Sequence, residues 1–429
     1  MNGDRFSHGL WEASAPAAPQ TAALQEDLHA DVVIVGAGYT GLSSALHCAL
    51  AGMSVVVLEA EEVGFGGSGR NVGLVNAGMW VVPEQLPKAL GDVHGNRLLR
   101  DLGNGPNVVF DIVQRYGIES QATRKGTLHC AVGASGLRDI QERARQWQAL
   151  GAPVRVLNAQ EAAQATGSQA YTGALLDERA GTIQPLAYAR GLAHAAIKEG
   201  ARIYTRSRVL DVKDLGQRWQ LRTASGSVTA DKVVVATNAY TPADSPWQTL
   251  TTEMVKLPYF NLATEPLPAH LRDSILPQRQ GAWDTANVMT SFRFDQAGRL
   301  VFGGVGALRG AGKRIHHDWA LRAMTKLFPQ LKGIGFEHQW YGWIAMTHNN
   351  LPRLHQLARN TYSFSGFNGR GISPGTVFGR EMSKLLSGQS RIEDLCLPLS
   401  PVAPVGLRSV REQFYEQGAC AAHLVGARL

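Results

Sequence analysis

The chain has 429 residues, of which 44% are hydrophobic and 18% charged, as is ordinary for a globular enzyme. One hydrophobic core rarely serves a chain of this length, so two domains are expected. The net charge of +7 comes without a run of five or six basic residues. This charge pattern argues against a nucleic-acid-binding protein and leaves an anionic cofactor or substrate open.

The cysteines are far apart in the sequence and form no CxxC pair: Cys48, Cys130, Cys396 and Cys420. This spacing favours a reducing compartment and argues against a disulfide framework or a zinc site. The N-terminus lacks the apolar segment of a secretory signal. The most apolar long segment, residues 41–58, includes polar residues and is predicted as a helix followed by a strand, not as a membrane span. We therefore expect a cytoplasmic protein without a transmembrane segment and without a metal.

The first predicted strand, ADVVIVGAG, leads directly into a glycine turn and an amphipathic helix. Gly36, Gly38 and Gly41 have the spacing G-x-G-x-x-G, which permits a tight turn, close approach of a pyrophosphate and close helix packing. The next strand, SVVVLEA, contains Glu59, 18 residues after Gly41, where an acid binds the ribose hydroxyls. The pattern predicts an NAD or FAD site and disfavours NADP, because a carboxylate repels a 2′-phosphate.

A second glycine-rich stretch, GFGGSGRNVG at residues 64–73, follows Glu59 after four residues. Since it runs directly off the ribose-binding strand, its glycines are expected to pass close beneath a cofactor. Its polar side chains would add hydrogen bonds and positive charge. The residues concerned are Gly66, Gly67, Ser68, Gly69, Arg70 and Asn71. The alternative is a mobile surface loop with a solvated arginine.

The remaining elements alternate between two patterns. Residues 85–182 predict polar helices around one short strand, GTLHCAV, and residues 184–246 predict a helix, a strand meander and a buried strand at 232–236. Residues 247–351 return to alternating strands, and TYSFSGFNGRGISPGTVFGREMSKLLSG predicts a strand, a loop and a helix. A cofactor domain interrupted twice by a substrate domain is therefore expected.

The segment DVVIVGAGYTGLSSALHCALAGMSVVVLEAEEVGFGGSGRNVG resembles the FAD-binding N-terminus of the D-amino-acid oxidase/glycine oxidase superfamily, in particular its γ-glutamylputrescine oxidoreductases and related oxidases of amines and imino acids. Later segments resemble motifs of that family in the same order: VVVATNAYT (233–241), ATEPLP (263–268), GRLVFGGVG (298–306) and GFNGRGISPGTVFGR (366–380). The resemblance implies FAD rather than NAD. Family positions for covalent attachment hold Ala345, Met346, Arg70 and Asn71, so noncovalent FAD is expected.

The resemblance further implies an α/β fold: a Rossmann-like, glutathione-reductase-like FAD-binding domain with a discontinuous α+β substrate domain built on an antiparallel sheet. The expected FAD-binding domain comprises residues 1–81, 183–246 and 352–429, and the expected substrate domain comprises 82–182 and 247–351. The expected FAD contacts are Gly36, Ala37, Gly38, Tyr39, Thr40, Gly41, Glu59, Ala60, Gly66, Gly67, Ser68, Gly69, Arg70, Asn71, Gly73, Leu74, Val209, Ala236, Thr237, Asn238, Gly369, Arg370, Gly371, Ile372 and Ser373.

The stretch GFNGRGISPG supports two interpretations. In the first, a helix begins with Ser373 as N-cap and Pro374 as its first residue, and its N-terminus or Arg370 stabilises negative charge on a reduced flavin. In the second, GISPG is the G-x-S-x-G of a serine hydrolase, with His423 later in the chain. The oxyanion N–H would then come from Pro374, which has none, so a cap is favoured.

The resemblance implies oxidation of the C–N bond of a small amine or amino acid, such as γ-glutamylputrescine or pipecolate, by hydride transfer to flavin N5, giving an imine. No catalytic acid or base is nominated, since the flavin carries the chemistry. Many relatives clamp a substrate carboxylate with an arginine in GLRPxTPDxxP, where this chain has GWIAMTHNNLP (342–352) and therefore Ile344. Either the substrate lacks an α-carboxylate or another cation binds it: Arg293, Lys256, Arg353 or Arg370.

The candidate substrate-pocket residues are Tyr259, Arg293, Trp343 and Ile344. Aromatic residues that could hold an amine by cation–π contact, or pack in the core instead, are Trp80, Tyr259, Phe260, Trp340, Tyr341 and Trp343. The adjacent His316 and His317 are expected to be solvated. An NAD-dependent dehydrogenase and a flavoprotein domain for RNA modification remain alternatives. The electron acceptor would be oxygen or a quinone, and no nucleic-acid partner is expected.

Overall fold

The computed structural model describes residues 7–427. The helices are α1 (Leu10–Ser14), α2 (Tyr39–Leu50), α3 (Gln85–Gly103), α4 (Gly105–Tyr116), α5 (Gly133–Ala149), α6 (Ala159–Thr166), α7 (Pro185–Lys198), α8 (Ala269–Ser274), α9 (Gly312–Leu327), α10 (Ile372–Leu386) and α11 (Arg408–Val425). The strands are β1 (Asp27–Val35), β2 (Val55–Leu58), β3 (Leu74–Val75), β4 (Thr127–Ala131), β5 (Val154–Leu157), β6 (Gly173–Asp177), β7 (Gly181–Thr182), β8 (Arg202–Tyr204), β9 (Asp211–Asp214), β10 (Trp219–Arg222), β11 (Ser227–Val235), β12 (Val255–Pro266), β13 (Gly281–Asp284), β14 (Thr290–Phe294), β15 (Arg299–Val305), β16 (Phe336–Met346), β17 (Arg353–Ala358) and β18 (Thr361–Ser365).

The first sheet has the order β17-β18-β11-β1-β2-β8, with the β9–β10 hairpin attached to β11. β1 runs parallel to β2 and β11, β2 runs parallel to β8, and β11 runs parallel to β18. Its central strands are continuous valine and isoleucine runs, buried at residues 32–35, 55–58 and 233–235, as parallel strands covered on both faces require. The predicted strands are confirmed. Their carboxyl ends meet at one edge, where the glycine turn, Glu59 and the loops after β11 and β18 follow.

The second sheet has the order β16-β12-β15-β14-β13-β4-β6-β5 and is antiparallel apart from the β13–β4 pair. Side chains alternate between its faces. Phe260, Phe292 and Phe302 form a core beneath α9. Tyr259 and Ser291, one position away from Phe260 and Phe292, line a cavity on the opposite side. This alternation lets a single sheet support both a core and a binding surface.

Helices from each predicted domain pack with the other one. α3 and α4 contact α10, and their leucines and valines belong to the core around β1 and α2. α11 contacts β12 and α9 of the second sheet. The two-domain division remains a proposal. By their packing, α3 and α4 would belong to the FAD-binding domain rather than to the substrate domain, and α11 would belong to the substrate domain rather than to the FAD-binding domain.

The segment before β1 is packed against the glycine loop, a contact that was not predicted from the sequence. Trp11 is fully buried, its ring centroid is 5.4 Å from that of Trp340, and its Nε1–H donates to the Asn71 carbonyl at 2.9 Å. Gln184 Nε2–H donates to the Trp11 carbonyl at 2.9 Å. The N-terminal segment therefore helps to order residues 64–73.

The prediction that His316 is solvated is wrong. His316 on α9 is buried, and its Nδ1 lies 2.7 Å from Nδ1 of His423 on α11, whose ring stacks on Trp319 at 3.7 Å. This contact was not predicted because the partner histidine lies on a helix that is distant in the sequence. His317 is half-exposed beside Asp318. Among residues 7–427 no group of three or more histidine, cysteine, aspartate or glutamate side chains is arranged to hold a metal ion.

Acid should loosen the α9–α11 contact. Burial lowers the pKa of His316 to about 4 and that of His423 to about 3, below the ordinary 6.5. The same histidines take up protons at a higher pH in the unfolded protein than in the folded protein. The free energy of unfolding is therefore at its full value above about pH 6.5 and is lower by about 1 kcal/mol per histidine at pH 5.5. Thermal unfolding between pH 7.5 and 5.5 should show this slope. It should be reduced in His423→Gln and retained in His317→Gln; equal slopes in both variants would contradict the assignment.

None of the helices within residues 7–427 combines the length and the apolar character needed to cross a membrane.

Candidate active site

A cavity of about 910 Å³ lies between the carboxyl edge of the first sheet and one face of the second sheet. Its volume falls in the range of cofactor and ligand pockets, roughly 300–1,000 Å³. Its lining includes Gly36 and Glu59, which follow β1 and β2 of the first sheet, and side chains of β12 and β14 of the second. The cavity therefore joins the predicted dinucleotide motif to the second sheet.

Glu59 is fixed at the end of β2. Its Oε2 accepts the Ala37 N–H at 2.7 Å and its Oε1 accepts the Glu61 N–H at 3.0 Å. Desolvation raises the pKa of the Glu59 carboxyl above its ordinary value. Each oxygen retains a lone pair for a second donor. The geometry suits a carboxylate that receives hydroxyl groups from the cavity.

The glycine turn serves packing as well as ligand access. Gly36 has φ +107°, a conformation that other residues rarely adopt. A Cβ at Gly41 would overlap the Gly36 carbonyl oxygen, so Gly41 brings α2 against the sheet, as predicted, and does not line the cavity. Gly38, Tyr39 and Thr40 do line it. The start of α2 therefore faces the cavity through these three positions.

The glycine loop is ordered by its own polar groups. The Asn71 side-chain amide donates to Tyr39 Oη at 3.1 Å and to the carbonyls of Gly67 at 3.0 Å and Ser68 at 2.9 Å. The Arg70 guanidinium carbon lies 4.4 Å from the ring centroid of a phenylalanine of the same loop, and Arg70 is buried. The mobile-loop alternative, with a solvated arginine, is therefore wrong.

The loop presents only part of its length to the cavity. Gly69 and Gly73 face the protein, where a Cβ would overlap the carbonyl oxygens of Gly64 and Ile183. The loop residues that line the cavity are Phe65, Gly66, Gly67, Ser68, Arg70, Asn71 and Val72, and Leu74 of β3 follows them in the wall. Five further residues that were expected to contact FAD also lie in the cavity wall: Ala60, Val209, Ala236, Thr237 and Asn238.

Arg293 does not line the cavity, which corrects its nomination as a substrate residue. It is buried beneath the loop, where Nη1–H donates to the carbonyls of Ile183 and Gly73. Burial lowers the pKa of Arg293 to about 10. Its guanidinium holds the glycine loop to the segment before α7.

Two further cations nominated as a carboxylate clamp are also engaged outside the cavity wall. Arg353 Nε lies 3.2 Å from the Glu253 carboxylate, and Lys256 is half-buried near Glu412. Arg370 is the member of the nominated set that lines the cavity.

The N-cap prediction for α10 is wrong by two residues. Gly371 is the N-cap and Ile372 the first helical residue, so Ser373 lies inside the helix, 1% exposed. Pro374 then occupies the third helical position, where its missing N–H would have no helical acceptor anyway. Because Ser373 is enclosed and the His423 ring contacts His316, the serine-hydrolase alternative is wrong. Gly369, Gly371 and Ile372 line the cavity, whereas Ser373 does not.

The substrate-pocket candidates Tyr259, Trp343 and Ile344 line the cavity at its second-sheet end. Tyr259 Oη lies 2.8 Å from Ser291 Oγ, and burial raises the pKa of the phenol, so it stays neutral. Trp80 belongs to this wall as well. The other nominated aromatic residues, Phe260, Trp340 and Tyr341, pack in hydrophobic clusters.

His129 and Trp283 were not among the predicted site residues, although both line the cavity. They are paired across β4 and β13, and their rings stack with centroids 5.0 Å apart at 19° in the cavity wall. The two strands are far apart in the sequence and carry no motif, so only the strand register reveals the pair.

Comparison with known proteins identifies the family of the chain. Residues 31–385 match the family model described as FAD dependent oxidoreductase. The chain is 34% identical to γ-glutamylputrescine oxidoreductase of Escherichia coli strain K12 over 401 residues, 92% of each chain. Its fold is similar to glycine oxidase from Geobacillus kaustophilus, with a TM-score of 0.70, 20% identity and coverage of 85% of this chain and 96% of that one. L-proline dehydrogenase from P. horikoshii gives a TM-score of 0.69 and 17% identity, covering 92% and 97%.

These findings decide between the cofactors that the glycine motif left open, and they argue against the NAD-dependent dehydrogenase. The mixed α/β architecture, with its two sheets, is that of the matched family. The chain belongs to the FAD dependent oxidoreductase family and is an enzyme of the amine and amino-acid oxidase type.

Proposed function

We propose that the chain oxidises the C–N bond of a small amine or amino acid, with FAD extended along the cavity. The observation that carries this proposal is the continuity of the cavity from the Glu59 carboxylate, past the glycine loop, to the aromatic face of the second sheet. The relative from Escherichia coli is named for γ-glutamylputrescine, and the similar folds for glycine and proline. These names favour an amine or amino acid over RNA modification.

The residues present fit FAD in a Rossmann-like arrangement of the glutathione-reductase type. Glu59 would bind the adenosine ribose, and Gly36 and Gly38 would admit the pyrophosphate to the start of α2. A Cβ at Gly371 would meet nothing within 4 Å, so the backbone before α10 is open to a flat ring. When bound, FAD supplies a two-electron acceptor for the C–N bond. We expect it to be noncovalent, since the family's positions for covalent attachment hold Ala345, Met346, Arg70 and Asn71 in this chain.

The chain's own residues would orient the amine and exclude water. Trp80, Trp343 and Tyr259 form an aromatic wall suited to a small cationic or neutral amine. The neutral Tyr259 phenol and Ser291 hydroxyl share one hydrogen bond, so either can also bond to a substrate. No acid or base is assigned to the reaction itself. The electron acceptor, oxygen or a quinone, and the cytoplasmic location stay predictions from the sequence.

Anaerobic addition of candidate substrates to the yellow protein tests this function. We expect the flavin absorbance near ~450 nm to bleach with at least one of γ-glutamylputrescine, putrescine, pipecolate, proline, sarcosine and D-alanine. A flavin that all six leave oxidised, while dithionite reduces it, would contradict amine oxidation.

A further inference from the structure

The outward face of α11 carries an uninterrupted row of apolar and small residues. They recur at spacings of three and four, so they lie along one side of the helix. Four of them are strongly exposed: Leu407 by 76%, Phe414 by 72%, Val425 by 71% and Val410 by 59%. A continuous exposed apolar surface is typical of an interaction site. We name this row the α11 stripe, and it comprises Leu407, Val410, Phe414, Gly418, Ala421 and Val425.

The opposite face of α11 holds the helix against the second sheet and α9. The Glu416 carboxylate accepts a hydrogen bond from Arg309 Nε at 2.8 Å, and Glu412 Oε1 accepts the Lys256 N–H at 3.0 Å. His423 is buried on the same side. Within α11, Arg411 is therefore the one charged residue on the exposed face. The stripe is presented on a fixed helix and is nearly free of charge.

The position of Gly418 has no explanation within the chain. It lies in the interior of α11, where alanine is the better helix former. A Cβ at this position would meet nothing within 4 Å. A glycine in the middle of an exposed apolar row does, however, let another surface approach the helix backbone closely. This residue therefore indicates a partner outside the chain.

The α11 stripe is complementary to a reversed copy of itself. About a midpoint near position 416, Phe414 and Gly418 are each two residues away, and Leu407 and Val425 are each nine residues away. An antiparallel pair with a two-fold axis at this midpoint would therefore place each Phe414 ring on the Gly418 of the other copy, and each Leu407 on Val425. The two remaining members of the stripe lie six and five residues from the midpoint and match in the same way. The larger side chains thus face the smaller ones.

The charge on this face favours a second copy over other partners. In the antiparallel register Arg411 would face position 421 of the other copy, so the two arginines would lie roughly 15 Å apart along the helices. A single exposed arginine is too little for an anionic membrane surface, which attracts clusters of about 4–8 basic residues. The exposed face of α11 carries no acid that would attract a basic protein.

We propose that α11 pairs with α11 of a second copy of this chain, antiparallel across a two-fold axis near position 416. A helix of 18 residues is about 27 Å long, and one such pair buries on the order of 1,000 Å², the lower end for specific interfaces. The dimer should therefore be weak, with a dissociation constant of roughly 1–100 µM. Unfolding measured at submicromolar concentration then reports on the monomer. The stripe is separate from the cavity wall, so the pairing does not depend on the proposed reaction.

Sedimentation velocity of the FAD-loaded enzyme, from about 1 to about 200 µM, tests the pairing. We expect the parent to change from monomer to dimer over this range. Phe414→Glu would place a carboxylate against an apolar helix face and should weaken association at least about 10-fold. Val93→Glu, at a position of α3 that is 59% exposed, is the matched control and should associate as the parent does. The flavin spectrum should be the same in all three proteins.

Leu407→Glu and Val425→Lys test the antiparallel register. These residues lie at opposite ends of α11, so the new charges cannot pair within one helix. Leu407→Glu alone should weaken the dimer. The double variant Leu407→Glu/Val425→Lys should recover most of the parent affinity, because each carboxylate would face an ammonium group across the axis. Equal losses in the single and double variants would contradict this register.

The remaining outcomes separate the dimer from other partners and from the proposed function. A parent that stays monomeric at the highest concentration would overturn the dimer, and binding of that monomer to phosphatidylglycerol vesicles would assign the stripe to a membrane surface instead. A dimer that Phe414→Glu leaves intact would also overturn the proposal, because another surface would then form the interface. Dimerisation without flavin bleaching by any amine would support the pairing and contradict amine oxidation.

Discussion

Glu59→Gln is expected to weaken FAD binding by roughly 10- to 100-fold, because ribose hydroxyls and the Ala37 N–H would lose a charged acceptor. Titration of the apoprotein with FAD, followed by flavin fluorescence, measures this change. Reduction of the flavin that remains bound should proceed at nearly the parent rate, since Glu59 follows β2 of the first sheet whereas Tyr259 and Trp343 belong to β12 and β16 of the second.

The pH dependence of FAD binding provides a second readout for Glu59. Desolvation raises the pKa of its carboxyl, so it takes up a proton at higher pH than an ordinary glutamate. FAD affinity of the parent should therefore fall as the pH is lowered, and this fall should be weaker in Glu59→Gln. Glu62→Gln, at an exposed position nearby, should match the parent. Unchanged FAD affinity in Glu59→Gln would refute the ribose role.

Gly41→Ala is expected to destabilise the protein by about 2–4 kcal/mol, because the new Cβ would overlap the Gly36 carbonyl oxygen. The turn and helix α2 would have to move apart, and FAD affinity should fall with the stability. Denaturant unfolding of the apoprotein measures the first effect and FAD titration the second.

The matched control is Gly418→Ala in α11, where a Cβ would meet nothing within 4 Å. Both glycines lie in helices, and alanine is the better helix former by about 0.5–1 kcal/mol. Gly418→Ala should therefore stabilise the protein slightly. Stabilisation by both substitutions would contradict the close packing of α2 on the turn.

The sequence patterns correctly predicted the strands and turns whose conformation is determined by residues close together in the chain. The valine runs at 32–35 and 233–235 could only be strands buried on both faces, and they are. The spacing of Gly36, Gly38 and Gly41 indicated a turn that meets a helix, and the overlap at Gly41 confirms the packing reason.

Contacts between distant segments could not be predicted in this way. Arg293 looked like a free cation because nothing nearby in sequence pairs with it; its partners, the carbonyls of Gly73 and Ile183, lie more than a hundred residues away. His129 and Trp283 meet only through the β4–β13 register. The cap of α10 was misplaced because a serine before a proline is a strong local signal, whereas packing of the helix encloses Ser373.

The most direct test of the central claim is a crystal structure of the FAD-loaded enzyme. We expect the adenosine ribose within hydrogen-bond distance of Glu59 and the pyrophosphate against Gly38 and the glycine loop. We expect the flavin ring between residues 342–346 and 369–372, facing Tyr259. A cofactor in the reverse direction, or one bound outside this cavity, would contradict it.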